Sequence, residues 1–275
     1  MKREIAPVPQ LVETKSDSST LHRGFAILEL LNEATQPLTS REIADAIQVN
    51  DSTVHRLLQT LRELGYVCRN GAKRYHSSPK SFLPLSIYHP LNLLRREAFE
   101  PLRGLREQFG LSASFIVFVG TERLVLDVSG VTGMLTPYYD TYLKSPVHAS
   151  ASGKLLLQSL SPKSRAELLG AGPYRAYTPK TITDPDVLSR ELDESARRGY
   201  SANLDENFVG ISAIGALIHC GPEQAGGCLL LAGTSDRFNE SRVEEIGWAL
   251  REKAHLFSFG SPPLRAVKNM FSRFG

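Results

Sequence analysis

The sequence has little of what would mark a secreted, membrane-spanning or metal-binding protein. Only three of its 275 residues are cysteines (Cys68, Cys220 and Cys228), too few for a disulfide framework. No apolar run reaches the roughly 18 residues that a bilayer-spanning helix needs. No Cys-x-x-Cys pair occurs, so no structural zinc site is indicated. We therefore expect no membrane partner, no metal and no cofactor, and a reducing cytoplasmic location.

A strong net charge is also missing. The formal net charge at pH 7 is +3, which by itself identifies neither nucleic acid nor any other class of partner. The two ends of the chain are weakly basic and the middle is weakly acidic, so a nucleic-acid site has to be recognised from individual side chains. Residues 1–18 are polar and lack the apolar segment of a secretory signal, and we expect them to form a disordered arm.

Complete catalytic motifs are missing as well. The stretch SASGKL at residues 150–155 has part of a phosphate-binding loop, but His148 takes the place of the first glycine and Leu155 follows the lysine. No Gly-x-Ser-x-Gly elbow is present. His219 and Cys220 are adjacent and would point to opposite faces of a strand, so core or turn thiols are a simpler explanation than a metal site. An enzyme that processes small molecules stays only a remote alternative.

Three short helical patterns follow one another from residue 19 onward. The first helix has Ser19 or Thr20 as its N-cap, and its predicted apolar stripe consists of Leu21, Phe25, Leu28 and Leu31. The second begins at a capping box formed by Thr39 and Glu42. Short helices joined by tight turns are the arrangement from which a helix-turn-helix is built.

The third helix has two chemically different sides. It is predicted to begin at Asp51 or Ser52 as N-cap and to end at Gly65, since glycine favours the position just past a helix end. One side is apolar and contains Val54, Leu57, Leu58, Leu61 and Leu64. The opposite side carries hydroxyl, imidazole, guanidinium and amide groups, which donate to phosphates and to base edges in the major groove.

A short hairpin is predicted after the third helix. Asn70-Gly71 is the sequence signal of a type I′ turn between two strands. Lys73 and Arg74 belong to this hairpin, where basic side chains suit a wing that follows the DNA backbone. The alternative is an ordinary helical hairpin with a solvated face. The order of three helices and a basic hairpin favours DNA binding.

The rest of the chain has an α+β pattern. A linker is predicted over residues 81–110: a proline-punctuated connector followed by one long helix over residues 91–109, with Pro101 as a candidate kink. Strands are predicted at 112–120, 122–130, 210–220 and 226–235, and helices at 149–160, 161–170, 184–199 and 239–259. The basic amphipathic tail, residues 261–275, either frays or docks an apolar face on its own domain or a partner subunit. That face consists of Leu264, Val267, Met270, Phe271 and Phe274.

Three stretches resemble the IclR family of bacterial transcriptional regulators. The segment with Arg23, Ile27-Leu28, REIADAI and STVHRLLQTLRELGYV resembles the family's winged helix-turn-helix. PVHASASGKLLL resembles its effector-domain motif, and RRGYSANLDENFVGISAIGALI resembles the segment that lines its ligand pocket. The resemblance covers residues 19–258. It implies an α/β (α+β) chain, with a winged helix-turn-helix over 19–80 and an effector-binding domain over 111–260 that has a curved antiparallel sheet and flanking helices.

The resemblance implies a ligand-sensing regulator with double-stranded operator DNA and a small organic acid as partners, assembled as a homodimer or a dimer of dimers. The residues expected at the DNA are Arg23, Thr39, Ser40, Arg41, Ser52, Thr53, His55, Arg56, Gln59, Lys73 and Arg74. The residues expected at the effector are Ser150, Ala151, Ser152, Gly153, Asn203, Ile211, Ala213, Leu230 and Ala232.

The expected effector residues also predict the kind of effector. A helix start at residues 150–153 offers unpaired N–H groups that suit a carboxylate. Asn203 stands where family members often have an acidic residue. The four strand positions Ile211, Ala213, Leu230 and Ala232 are apolar, whereas several of them are polar in relatives that bind small keto acids. An aromatic or otherwise apolar acid is therefore predicted. The alternatives are a degenerate pocket in a ligand-independent regulator, or a register slip of one residue, which would turn each strand side chain to the other face.

Overall fold

The computed structural model describes residues 19–82, 88–130, 143–221 and 224–271, and the chain divides into two compact units, Met1–Ser86 and Ile87–Gly275. The expected arm over residues 1–18 lies outside the described residues. The first unit contains α1 Thr20–Glu33, α2 Ser40–Ile47, α3 Asp51–Glu63, β1 Val67–Arg69, β2 Tyr75–Ser77 and α4 Pro79–Phe82. Its apolar core joins all three long helices to the β1–β2 hairpin.

The first helix buries only the second half of the predicted stripe: Leu31 is buried and Leu28 packs partly buried against the core. Ser19 caps α1 as expected, but Leu21 and Phe25 are exposed, and Ile27 and Leu31 are the buried residues. Both stripes recur at helical spacing, so periodicity alone does not choose between them. The choice is made by α3 and β2, which pack against the side that carries Ile27 and Leu31.

Side-chain caps determine where the next two helices begin. The capping box at α2 is confirmed: the Thr39 side chain accepts from the Glu42 N–H, and the Glu42 carboxylate accepts from the Thr39 N–H at 2.7 Å. The predicted caps of α3 are wrong by one residue. Asn50 accepts a backbone N–H of the first turn at 2.8 Å, and Asp51 and Ser52 are already helical. Asn50 has the extended backbone that a cap requires.

The hairpin is present, but its turn is not the predicted type I′ turn. The loop between β1 and β2 runs from Asn70 to Arg74 and is organised by the Asn70 side chain. Its Oδ1 accepts from the N–H groups of Ala72 at 3.1 Å and Arg74 at 3.0 Å. The left-handed residue of the loop is Lys73, with φ of 60°, rather than Gly71. An Asx-type turn has therefore replaced the two-residue turn that Asn-Gly favours.

The second unit is an antiparallel sheet covered by helices on both faces. Its elements are α5 Pro90–Phe109, β3 Ser112–Val119, β4 Glu122–Ser129, α6 Ala151–Ser159, α7 Pro162–Leu169, α8 Pro185–Arg198, β5 Ser201–Phe208, β6 Ile211–Gly221, β7 Gln224–Thr234, a 3₁₀ turn Ser235–Arg237, α9 Glu240–Gly260 and α10 Pro262–Phe271. The strand order is β4-β3-β7-β6-β5. No helix among the described residues is long and apolar enough to cross a membrane.

Two apolar layers hold this unit together. On one face of the sheet, α5, α9 and α10 pack against a core that includes Phe115 and Leu250. On the other face, α6 packs Leu155 and Leu156 against strand residues that include Leu230. The first half of α6 is thus fixed directly on the sheet, which places its N-terminal turn over the strands.

The strand β5 escaped sequence prediction. Its sequence, SANLDENF, is polar and lacks apolar alternation, yet it pairs with β6 along the edge of the sheet. Two of its buried polar side chains are paired inside the fold: Asn203 Oδ1 accepts from the Glu206 N–H at 2.8 Å, and Glu206 Oε1 meets a buried lysine. Tertiary partners therefore replace the hydrophobic pattern that usually marks a strand.

The predicted linker helix belongs to the second unit. The helix begins at Pro90, with His89 as its cap, one residue before the predicted start. One side of α5 is buried in the sheet core: Leu94, Ala98, Leu102, Leu105 and Phe109. Packing of this side makes α5 a structural part of the effector unit, whereas the prediction treated it as a connection.

The tail forms a docked helix over the residues that the structure describes. Leu264 and Val267 of α10 are buried against the core that contains α5. Ser261 donates to the Glu97 carboxylate and accepts from the Leu264 N–H, which anchors the start of the helix. Met270 is largely exposed, and the side chains of residues 271 and 274 lie outside the described part. The described part of the tail therefore docks on the chain's own domain rather than fraying.

A buried ion pair joins α6 to β5. Lys154 is almost fully buried, and its Nζ lies 2.6 Å from Glu206 Oε1 and 3.0 Å from the Ala202 carbonyl oxygen. Burial raises the pKa of Glu206, although Lys154 acts in the opposite direction. Glu191 lies 3.8 Å from the same ammonium group and is also bound by Arg198. Removing either member of the Lys154–Glu206 pair would leave the other group buried without its partner.

We predict that Lys154→Met lowers the free energy of unfolding by about 3–5 kcal/mol, because it strands a buried carboxyl group. The double substitution Lys154→Met and Glu206→Met should recover most of this loss. Chemical denaturation of the four proteins of the cycle measures both effects. The control is Lys163→Met, which breaks the exposed pair with Glu167 and should cost less than about 0.5 kcal/mol. Equal losses in the Lys154 and Lys163 variants would contradict the prediction.

We also predict that Leu264→Ala lowers the free energy of unfolding by about 2–5 kcal/mol, because this side chain is 1% exposed in the core. Met270→Ala, on the same helix but 42% exposed, is the matched control and should have a much smaller effect. Urea denaturation followed by circular dichroism compares the two. A Leu264→Ala variant as stable as the control would mean that the tail does not contribute to the fold.

Candidate functional site

The exposed side of α3 carries the polar residues that the sequence predicts at the DNA. Ser52, His55, Arg56 and Gln59 are exposed, and Thr53 is half-buried. The His55 and Arg56 side chains have no hydrogen-bond or ion-pair partner within the part of the chain that the structure describes. Gln59, in contrast, donates to Glu63 at 3.1 Å. The first turns of α3 thus present an imidazole and a guanidinium group directly to solvent.

Arg74 of the hairpin is already engaged within the first unit. Its guanidinium group donates to the Pro37 carbonyl oxygen at 3.0 Å and lies 3.1 Å from Glu42 Oε2. The hydrogen bonds from Thr39 chiefly lower the pKa of Glu42, and Arg74 acts in the same direction. Arg74 therefore ties the hairpin to the capping box of α2. Lys73, one residue earlier, is exposed at the loop tip.

The remaining residues predicted at the DNA are less prominent. Arg41 is exposed on the first turn of α2, and Ser40 is half-buried as the first residue of that helix. The Thr39 hydroxyl belongs to the capping box. Arg23 is half-buried on α1 and has contacts of its own. A partner therefore has less access to Thr39, Ser40 and Arg23 than to Arg41, Lys73 and the exposed residues of α3.

The second unit contains a cavity of about 410 Å³ between the first turn of α6 and the sheet. Eight of the nine residues predicted at the effector line it: Ser150, Ala151, Ser152, Asn203, Ile211, Ala213, Leu230 and Ala232. Ser150 is the N-cap of α6, but its side chain caps none of the first backbone N–H groups. The helix start at the cavity thus keeps donors that no side chain has taken.

The strand residues meet at the cavity because of the sheet register. Asn203 on β5 pairs directly with Ala213 on β6, which pairs directly with Ala232 on β7. Directly paired residues share one face of a sheet. Ile211 lies two residues before Ala213 on β6, and Leu230 lies two residues before Ala232 on β7. Both therefore point to the same face of the sheet as this row. The register slip considered from the sequence is therefore absent.

Gly153 is the predicted residue that does not line the cavity. A β-carbon at this position would collide with the backbone of Val147, so glycine is required for a close approach between α6 and the preceding loop. The prediction placed Gly153 at the effector. In the structure it lets the chain pass close to the helix start.

The cavity is more polar than the sequence suggested. Lys144, Tyr177 and Asn207 also line it, and none of them was singled out from the sequence. Asn207 lies four residues after Asn203, within the stretch that resembles the family's pocket segment, and Lys144 lies just before the effector-domain motif. Tyr177 lies in a stretch without a recognisable motif. The four predicted strand positions are apolar, as the sequence predicts, and these polar side chains add hydrogen-bonding groups elsewhere in the lining.

A buried arginine lies directly behind the serines of the cavity. Arg123, on β4, is 3% exposed, and its Nη1 lies 2.9 Å from Ser150 Oγ and 3.0 Å from Ser152 Oγ. The other terminal nitrogen of this guanidinium group, Nη2, donates to the Leu143 and Ser145 carbonyl oxygens. Sequence reasoning missed it, because a lone arginine at the start of a strand has the pattern of an exposed edge residue and is far from Ser150 along the chain.

A second, wider cleft of about 910 Å³ borders α9 and the far end of α6. Arg251, His255 and His219 line it, and none of the predicted effector residues does. Burial lowers the pKa of His219 and raises the pKa of Cys228, which is fully buried. The described residues contain no group of three or more metal-ligating side chains in one place.

Comparison with known proteins gives consistent matches over both units. The family described as bacterial transcriptional regulator IclR C-terminal matches residues 89–259, and the IclR helix-turn-helix domain matches residues 20–71. The transcriptional repressor IclR of Escherichia coli K12 is 27% identical over 259 residues, which cover 90% of this chain and 91% of that protein.

Two solved structures have the same fold. The crystal structure of Thermotoga maritima IclR has a TM-score of 0.75 and 27% identity, and the match covers 87% of this chain and 97% of that one. An IclR homolog from Microbacterium hydrocarbonoxydans, complexed with 4-hydroxybenzoate, has a TM-score of 0.71 and 24% identity, with 90% and 100% covered.

These matches agree with the geometry of both units. The first unit has the helix-turn-helix with an exposed polar side on α3, and the second has a cavity at the start of α6. The relatives are named as regulators and repressors of transcription rather than as enzymes. The chain belongs to the IclR family and is a DNA-binding transcriptional regulator with a small-molecule effector domain.

Proposed function

We propose that the exposed side of α3 reads operator DNA and that an aromatic or otherwise apolar carboxylic acid in the 410 Å³ cavity controls this binding. One observation carries the effector part of the proposal. The cavity combines an uncapped helix start, with Ser150 and Ser152, and apolar side chains from β6 and β7. The first feature suits an anion and the second suits a ring.

The DNA part of the proposal rests on the polar side chains of α3 that have no partner within the described residues. His55 and Arg56 lie in the first turns of α3, the end that enters the major groove in helix-turn-helix proteins. Arginine can bind guanine through two parallel hydrogen bonds, and histidine can donate to a base edge or a phosphate. Lys73 at the hairpin tip suits a phosphate contact. Arg74 is assigned a supporting role, because its guanidinium group already holds the hairpin.

The effector part follows from the chemistry of the two cavity walls. The positive end of the α6 dipole and its open N–H groups favour a carboxylate. Each ~100 Å² of apolar surface that a ring buries against the strands would add roughly 2.5 kcal/mol, before the cost of ordering the ligand. Tyr177 and Asn207 can pair with one polar substituent on the ring. A small keto acid would leave the apolar wall without contact and its own oxygens incompletely paired.

Control of DNA binding requires a second arrangement of the protein. The effector must have a higher affinity for one arrangement of the DNA-binding units than for the other, since equal affinity would shift nothing. We infer a homodimer or a dimer of dimers in the cytoplasm, because a two-fold assembly would place two α3 helices on the half-sites of one operator. In this proposal residues 19–80 bind DNA and residues 111–260 bind the effector.

We predict that Arg56→Ala and His55→Ala each weaken binding to an operator selected from random duplexes by the full-length protein. The expected loss is about 1–3 kcal/mol for a base contact. Glu63→Ala, at the far end of the same helix, is the control and should change binding little. Gel-shift titrations at one fixed salt concentration compare the variants. If Glu63→Ala weakens binding more than Arg56→Ala, the assignment of the DNA-contacting side is wrong.

We predict that benzoates raise the melting temperature of the full-length protein and that glyoxylate and pyruvate do not. At a hundredfold excess over Kd the shift should be roughly 5–10 °C. Ser152→Trp fills the cavity and should abolish the shift, and its melting temperature without ligand shows whether it folds. Stabilisation by the keto acids alone would reject the aromatic class. The absence of any shift would favour a ligand-independent regulator.

A further inference from the structure

The two serines at the cavity use their hydroxyl groups differently. Both oxygens accept from Arg123 Nη1, since a guanidinium group has donors only. Ser150 passes its own hydrogen to the Pro146 carbonyl oxygen at 2.7 Å. The Ser152 hydroxyl donates to no acceptor among the residues that the structure describes. Ser152 is 3% exposed and lines the cavity, so its remaining donor is available to a molecule bound there.

Arg123 is rigidly held in this position. It is 3% exposed, and besides the two serines it donates to the carbonyl oxygens of Leu143 and Ser145. Arg123 itself does not line the cavity. Its positive charge therefore acts on the cavity through the hydroxyl groups of Ser150 and Ser152 and not by direct contact.

The contact with Arg123 changes what Ser152 can recognise. A free hydroxyl group can accept or donate, and so it accommodates a carboxylate, an amide or an alcohol. A hydroxyl oxygen that already accepts from a cation is polarised and presents its hydrogen. A hydrogen bond from such a group to an anion is charge-assisted and stronger than one between neutral groups. The N–H of a neutral amide would find no acceptor there.

We propose that Arg123 sets the specificity of the cavity for a carboxylate over a neutral ligand of the same shape, acting through Ser152. The inference rests on the proposed function of this cavity and adds the residues that select the charge of the effector. Arg123 is a positioning residue in this arrangement, and Ser152 is the group that contacts the ligand. Ser150 holds Arg123 without taking part in the selection.

The test compares 4-hydroxybenzoate with 4-hydroxybenzamide, which differ in charge but hardly in shape. Isothermal titration of the full-length protein gives the ratio of the two dissociation constants. The wild-type protein should prefer the acid by about tenfold or more, the size expected for a hydrogen bond to a charged group. Ser152→Ala should lower this ratio severalfold, mainly by weakening the acid, and Arg123→Met should do the same; the helix start of α6 keeps the remaining preference.

Two further variants separate selection from general damage. Ser159→Ala removes a hydroxyl at the far end of α6, which donates to the Leu156 carbonyl oxygen and does not line the cavity, so it should keep the wild-type ratio. Arg123→Lys keeps the charge with fewer donors and should restore part of the preference that Arg123→Met loses. If Arg123→Met fails to fold, Ser152→Ala still decides the question, because it removes a single oxygen atom.

The possible outcomes distinguish the inference from the proposed function. An acid-to-amide ratio that is unchanged in Ser152→Ala would overturn the inference and leave the aromatic acid class intact. An equal loss of both ligands in Ser152→Ala would also overturn it, because the serine would then contribute only to shape. Binding of neither ligand to the wild-type protein would reject the proposed effector class and the inference with it.

Discussion

The geometry of the effector cavity depends on the buried ion pair between Lys154 and Glu206. The pair joins α6 to β5, and these two elements supply opposite sides of the cavity. A buried pair of this kind contributes little net stability compared with apolar packing, because both charges have lost their hydration. Its effect is positional: α6 has one place on the sheet where its ammonium group finds the Glu206 carboxylate and the Ala202 carbonyl oxygen.

Two buried cations lie at the start of α6, one in the helix itself and one on a strand. Lys154 reaches toward β5, while Arg123 reaches from β4 to the hydroxyl groups of Ser150 and Ser152. The helix dipole adds positive potential at the same end. An anion in the cavity would thus be stabilised by groups that are already oriented before it binds, so little reorganisation would oppose binding. The apolar residues of β6 and β7 then decide which carbon skeleton accompanies the anion.

The DNA-binding unit separates basic residues that hold the fold from those that are free. Arg74 connects the hairpin to the capping box of α2, where Glu42 accepts from both Thr39 and Arg74. Arg56 and His55 face solvent on a helix whose other side is buried. Charge counting cannot make this distinction, since a guanidinium group in an ion pair and one in solvent look alike in a sequence. Only the free ones are suited to a charged partner such as DNA.

The sequence by itself determined the order of most elements, the capping box at Thr39, the polar side of α3 and most of the residues that line the 410 Å³ cavity, because these follow from local periodicity, capping chemistry and family motifs. Tertiary structure decided which stripe of α1 is buried, that the polar stretch SANLDENF is a strand, and that Gly153 serves a close approach. It also placed Arg123 behind Ser152. Each of these depends on partners distant in sequence, and burial or pairing with such partners leaves no local pattern.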